Sequence, residues 1–166
     1  MTTTFKGTPI RLEGRFLQAG DTAPDFYLAK NDLSEFTLKD GEGEYLILNI
    51  FPSLDTGVCA TTVRRFNQLA ASLPGAMVLC ISKDLPFAQS RFCAAEGIEH
   101  TILLSDFRYT SRFGEDYGVL IASGPMQGLL ARAVVIIGPE GKIIYSELVS
   151  EVTREPNYEA ALKAVK

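Results

Sequence analysis

The chain holds three cysteines and one histidine, and one of the cysteines sits where a thiol becomes a nucleophile. Cys59 closes the segment Phe51-Pro52-Ser53-Leu54-Asp55-Thr56-Gly57-Val58-Cys59, in which an apolar run gives way, through Pro52 and Gly57, to a helical pattern starting at Cys59. A thiol in a first helical turn lies beside free backbone N–H groups and the positive end of the helix dipole. With a cation nearby, such a position lowers a thiol pKa from about 8.5 into the range of about 3.5 to 7.5. A fall to about 6 would lift the thiolate fraction at pH 7 from roughly 3% to roughly 90%, a difference of about 3.4 kcal/mol. The competing reading is a small core residue at the head of an apolar stripe, since Cys is among the most buried residue types. Thr56 fits either reading, as donor to a thiolate or as an ordinary N-cap. Asp55 would oppose a thiolate if it turned inward and is expected to face solvent.

The remaining chemistry-bearing residues are weaker candidates on pattern alone. Cys93 lies 34 residues beyond Cys59 on a different helix. A disulfide between them needs Cα atoms about 4.4 to 6.8 Å apart, which two intact helix surfaces seldom offer, so some unwinding would be required. The alternative for Cys93 is a small residue filling a helix flank. Cys80 lies inside a strand that reads as buried on both faces, and is assigned to the core. Arg132 opens an apolar run, Ala133-Val134-Val135-Ile136-Ile137, where a cation needs an anionic partner. That partner could be a thiolate, a carboxylate, or, for a strand end, water. His100, beside Glu99, reads as a surface residue and leaves little scope for a Cys/His hydrolase. No Cys-x-x-Cys, P-loop or dinucleotide glycine pattern occurs, and the Cys and His spacing does not suit zinc, so no metal and no cofactor are expected.

These residues must be positioned by the elements around them. Residues 45 to 51 and 76 to 82 are buried-strand runs, and 101 to 104 is a shorter one. Cys59, Thr62, Val63, Phe66, Leu69, Ala70 and Leu73 follow helical spacing, with Arg64, Arg65 and Gln68 facing out and a stop near Pro74-Gly75. A second helix starts at about Pro86 and stops at Gly97, with Leu85, Ala88, Phe92 and Ala95 as its apolar stripe and Cys93 on the flank. Residues 107 to 117 are helix-prone but of uncertain form. Residues 131–138 and 142–149 read as a hairpin about Pro139-Glu140-Gly141, and Pro156 opens a last helix. Alternation around Gly7 and Thr8 suggests an N-terminal hairpin, and Phe36-Thr37-Leu38 a further short strand. The order predicts an α/β fold: a thioredoxin-like three-layer sandwich with a mixed central sheet, helices on both faces and an N-terminal β-hairpin. Crossovers should be right-handed.

At 166 residues and 46% hydrophobic, residues 1–166 fit a single domain that needs no covalent staples. A formal charge of -4, from 16 basic and 20 acidic residues without a basic run, argues against nucleic-acid and anionic-membrane partners. The N-terminal residues lack a signal-peptide core and no apolar stretch approaches spanning length, so the expected location is cytoplasmic, with thiols kept reduced.

Pro52-x3-Thr56-x2-Cys59 resembles the active-site motif of peroxiredoxins. The stretches Asn49 to Cys59, Val78 to Cys93 with its Ser-Arg-Phe-Cys ending, and Gly128 to Val135 are similar to the bacterial thiol peroxidases, the atypical two-cysteine subgroup. The resemblance covers nearly the whole chain, including Ala23-Pro24-Asp25-Phe26. It implies that Cys59 is the peroxidatic and Cys93 the resolving cysteine, joined as an intrachain disulfide. It also implies that Thr56 hydrogen-bonds thiolate and peroxide, that Pro52 shields the sulfur, and that Arg132 holds the thiolate and polarises the O–O bond. Cys80 would have no catalytic role. The implied activity is reduction of hydrogen peroxide and alkyl hydroperoxides by a homodimer reduced by thioredoxin, serving antioxidant defence. A redox sensor would share the first chemical step, and a thioredoxin-like binding module with inert cysteines would share the fold.

Overall fold

Runs too apolar to meet water and bounded by turn residues become strands, and the helical repeats between them become helices. The computed structural model describes residues 2–165. In chain order the elements are β1 (Thr2–Phe5), β2 (Thr8–Glu13), β3 (Tyr27–Ala29), β4 (Glu35–Thr37), β5 (Tyr45–Ile50), α1 (Gly57–Ala70), β6 (Ala76–Ser82), α2 (Pro86–Glu96), β7 (Ile102–Ser105), α3 (Phe113–Asp116), β8 (Leu120–Ile121), β9 (Ala133–Ile137), β10 (Ile143–Leu148) and α4 (Tyr158–Ala164). A seven-stranded sheet has the order β10-β9-β5-β6-β7-β3-β4, and the N-terminal hairpin joins β8 in a three-stranded sheet. β5, β6 and β7 are parallel neighbours, whereas β9 runs antiparallel to both β5 and β10. The sheet is therefore mixed, as expected.

Alternation along the central strands divides the core in two. Ile47, Val78, Cys80, Val134 and Ile136 pack with Cys59, Val63 and Phe66 of α1 and Ala161 of α4. Leu46, Leu48, Ile50, Leu79, Ile81, Val135 and Ile137 point the other way, toward Phe16, Phe26, Phe113 and Tyr117. The three longer helices thus share one face, and the single turn of α3 lies on the other. The two parallel crossovers advance the same way across the sheet, and crossovers of one hand then place α1 and α2 on one side.

Several local expectations shift. The first hairpin turns at Lys6 and Gly7, with φ of 51° and 82°, and Thr8 is already in β2; two successive left-handed residues make the turn that matches strand twist. α1 begins two residues before Cys59, and α4 begins after an Asn157 cap rather than at Pro156. The stripe expected on α2 holds only in part: Phe92 packs against the core with Cys93 on its flank, but the buried positions are others. The buried residues of α2 are Pro86 and Gln89, while Leu85 is 51% exposed. The helix is turned by hydrogen bonding: the Gln89 amide donates to the Leu104 carbonyl at 2.9 Å and to Ser82 Oγ at 3.3 Å, so a polar residue faces the sheet with partners to satisfy it. Gly97, with φ of 64°, ends α2 as read.

Candidate active site

The strand-to-helix junction delivers Cys59 into the core. β5 ends at Ile50, Phe51 and Pro52 are buried, and Thr56 adopts extended backbone and caps α1, its Oγ1 accepting from the Cys59 N–H at 3.3 Å. Cys59 is the third helical residue and fully buried, and no acidic side chain occupies the first turn to compete for the helix N-terminus. Asp55 is exposed. The Thr56 hydroxyl also donates to the Ser53 carbonyl at 3.2 Å, so its hydrogen bonds are those of a cap and none reaches the sulfur.

Arg132 is brought to Cys59 by sheet register. β9 pairs with β5 so that Ala133 lies opposite Ile50, which sets Arg132 level with Phe51, the residue that starts the loop to Cys59. Its guanidinium donates through Nη2 to Cys59 Sγ at 3.0 Å and through Nε to the Val152 carbonyl at 2.6 Å. The side chain is 2% exposed, and its Nη1, also buried, has no hydrogen-bond partner. Among the described residues no carboxylate forms an ion pair with it. The cation is therefore neither solvated nor matched to an acid; its near partner is a sulfur. At this distance the guanidinium is a charge-assisted donor aimed at the sulfur.

The other sulfurs differ. All three cysteines are free thiols. Cys93 is half-buried on α2, where burial raises its pKa and a hydrogen bond from the Asn31 side chain opposes the rise. Cys80 is fully buried, and burial pushes its thiol up to about 12, opposed by a hydrogen bond from the Asn49 amide. Cys80 is thus the core residue expected. His100 is exposed, and its backbone N–H donates to Asn67. No cluster of His, Cys, Asp and Glu suited to a metal ion occurs among the described residues. Among these residues, too, no helix is long and apolar enough to cross a membrane. A surface cavity of about 380 Å³ lies at the opposite end of the sheet beside Asp25, Lys39 and Glu140, and no cysteine lines it.

Two participants were missed by the sequence reading. The Val152 carbonyl, which fixes the Arg132 Nε, has no sequence signature. Asp84, between β6 and α2, accepts from Ser53 Oγ and from the Leu54 N–H, both at 2.8 Å. Its only sequence signal is an acid two residues before a helix-opening proline, which reads as a turn.

The redoxin family model matches residues 18–162. The chain is 52% identical over 163 residues to a thiol peroxidase of Corynebacterium glutamicum, covering 98% of each. It is 54% identical to a thiol peroxidase of Mycobacterium tuberculosis, covering 98% of this chain and 96% of that one. Among solved structures, a peroxiredoxin-like protein from Aquifex aeolicus superposes with a TM-score of 0.93 at 44% identity, over 99% of this chain and 95% of that one. A thiol peroxidase from Chromobacterium violaceum, 22% identical, shares the fold with a TM-score of 0.89 over 98% of this chain and 94% of that one. With a thioredoxin-like sheet carrying a buried cysteine at a helix start, the chain belongs to the redoxin family, in its thiol peroxidase group of peroxiredoxins.

Proposed function

We propose that residues 1–166 act as one domain, a thiol-dependent peroxidase that reduces hydrogen peroxide and alkyl hydroperoxides at Cys59. The observation that carries this reading is the 3.0 Å contact between Arg132 Nη2 and a buried Cys59 Sγ at a helix start. In the first step the Cys59 thiolate attacks one peroxide oxygen in line with the O–O bond. That bond breaks, its electron pair leaves on the far oxygen as alkoxide or hydroxide, and a proton completes alcohol or water. Cys59 is oxidised to the sulfenic acid. Arg132 supports the reaction twice, since Nη2 faces the sulfur while the unpartnered Nη1 is a spare donor for the developing oxyanion. The Thr56 hydroxyl would have to turn from Ser53 to meet the peroxide, and Pro52, buried in the same loop, limits water at the sulfur.

In the second step the Cys93 sulfur attacks the sulfenic sulfur, an S–S bond forms, and the oxygen leaves as water. Cys59 and Cys93 lie on two intact helices, so local unwinding precedes bond formation. In the simple chain-entropy picture, closing a loop of about 35 residues lowers the entropy of the open chain by the equivalent of roughly 4 kcal/mol. The bond nonetheless forms at the expense of helix, which makes it labile and open to an external dithiol. We assign that role to thioredoxin, with the protein acting as a cytoplasmic homodimer in antioxidant defence.

The test is oxidation of the reduced protein by a panel of hydroperoxides, followed by mass analysis. Cys59→Ser should abolish peroxide consumption, and Cys93→Ser should permit one turnover and then stall. Full thiol-dependent activity in Cys59→Ser would overturn the assignment. An interchain link in place of the Cys59 to Cys93 link would overturn the intrachain step.

A further inference from the structure

Residues 53–56 of the loop that presents Cys59 are hydrogen-bonded to the rest of the fold at one point. Among the described residues, every hydrogen bond from residues 53–56 to a part of the chain outside the loop and α1 ends on Asp84. Its Oδ1 accepts from Ser53 Oγ at 2.8 Å, and its Oδ2 accepts from the Leu54 N–H at 2.8 Å and from Ser82 Oγ at 2.7 Å. Its backbone carbonyl accepts from Ser105 Oγ at the end of β7, and its N–H donates to Ser82 Oγ at 3.3 Å. Ser82 Oγ in turn accepts from Gln89, the buried side chain that sets the rotation of α2. No lysine or arginine pairs with Asp84 among the described residues, so its charge is met by these hydrogen-bond donors.

Inward from Asp84 the bonds continue to the backbone of Cys59. The Ser53 carbonyl accepts from both the N–H and the hydroxyl of Thr56, each at 3.2 Å, and Thr56 Oγ1 accepts from the Cys59 N–H. Asp84 therefore fixes Ser53, Ser53 fixes Thr56, and Thr56 fixes the helical turn that holds Cys59 against Arg132. Asp84 is also two residues before Pro86, where the helix bearing Cys93 begins. One carboxylate thus joins the two cysteine-bearing segments at their bases.

We propose that Asp84 is a positioning residue that clasps the Cys59 loop to the foot of α2, and that this clasp sets how Cys59 sulfenic acid divides between disulfide and over-oxidation. The inference rests on the peroxidase reading above. A fully buried Cys59 must leave its seat to meet Cys93, and the loop cannot swing without breaking the Ser53 and Leu54 bonds to Asp84. The clasp consequently favours the first step, which needs the loop docked, and opposes the second, which needs it free. Sulfenic acid held in the docked state is exposed to a second peroxide, whose attack yields sulfinic acid.

The opposite sign on the two steps is what a merely structural role would not produce. In Asp84→Ala, pulsed with hydrogen peroxide and quenched for mass analysis, we expect Cys59 oxidation to slow about threefold or more. We expect disulfide formation to quicken about tenfold, equivalent to about 1.4 kcal/mol. The peroxide concentration needed to trap a given sulfinic fraction should rise by at least the same factor. Ser53→Ala, which removes one of the two bonds, should move both quantities in the same directions by less. Asp84→Asn should restore near-native behaviour, since its carbonyl can take the Leu54 N–H and its amide can donate to Ser53 Oγ. A folded Asp84→Ala whose sulfinic fraction is unchanged or higher overturns the clasp, and should that variant fail to fold, Ser53→Ala decides the matter by the same criterion. Wild-type protein that forms no Cys59 to Cys93 link overturns the proposed function and the clasp together. A wild-type link with unshifted variants overturns the clasp alone.

Discussion

Replacing Arg132 with lysine keeps the charge and removes the geometry, and the structure sets what that should cost. The guanidinium presents three nitrogens in fixed relation: Nε to the Val152 carbonyl at 2.6 Å, Nη2 to Cys59 Sγ at 3.0 Å, and Nη1 without a partner beside them. A lysine ammonium at the end of a flexible stem cannot occupy all three positions. If it takes the Val152 carbonyl, the sulfur loses its donor; if it takes the sulfur, the developing oxyanion loses one. Losing a single donor to transition-state charge in a buried site costs about 2.7 to 4 kcal/mol, or about 10² to 10³ in rate. Arg132→Met removes the charge as well. Breaking a buried charge pair costs about 3 to 5 kcal/mol, part of which overlaps with the lost transition-state contact, so methionine should lose at least as much as lysine. The assay is the second-order rate of Cys59 oxidation by hydrogen peroxide in reduced protein, quenched with an alkylating thiol reagent and read by mass. A folded Arg132→Lys protein that reacts within threefold of wild type would refute the reasoning, because the 3.0 Å contact would then carry no catalytic weight.

Three further outcomes can be measured. Thr56→Val removes the cap on the Cys59 N–H and should cost about 1 kcal/mol, lowering the melting temperature by about 2 to 4 °C, together with a slower first step. Glu151 accepts hydrogen bonds from the N–H groups of Gly7 and Thr153 and from the hydroxyls of Thr153 and Thr4, which hold its carboxyl well below the usual range. A depressed folded-state pKa gives stability that is present above the unfolded value of about 4.3 and lost as pH falls toward the folded one. Melting temperature should therefore drop on acidification below about pH 4.3 less steeply in Glu151→Gln than in wild type; parallel slopes would contradict this. Cys80→Ala should leave peroxide turnover and the Cys59 to Cys93 link intact while costing about 1 kcal/mol of stability, because that thiol is buried and its pKa is pushed up to about 12.

Much of the frame was legible because it is written in local repeats. The apolar run at 45–50 records a strand covered on both sides, the spacing of Cys59, Thr62, Val63 and Phe66 records one face of a helix, and both are buried as read. Where a face is decided by a distant partner, the pattern misleads. On α2 the buried face is shared by a polar residue, because Gln89 finds its acceptors on β6 and β7 while Leu85 is left exposed. β3, only three residues long and held by β4 and β7, carries too few residues to show a period. Arg132 could be singled out as a cation in an apolar run, but its position beside Cys59 follows from the antiparallel register of Ile50 with Ala133, which spacing does not encode. Asp84 was invisible for a related reason: its donors at 53, 54 and 82 converge only once the loop and the strand end are in place.

The separation of 73 positions between Cys59 and Arg132 also bears on when the thiol becomes dangerous to its own chain. β9 is inserted between β5 and β10, so the guanidinium arrives only when the last third of the sequence has docked against strands made much earlier. Long-range pairings of this kind form late relative to local helices and hairpins. A polypeptide emerging from synthesis N-terminus first therefore carries Cys59 for some time without its cation and without the packed pocket around it. Hydroperoxide added during refolding should oxidise Cys59 quickly only after the β9 amides become protected from exchange. Chemical reactivity at Cys59 is in that sense expected to read out completed folding.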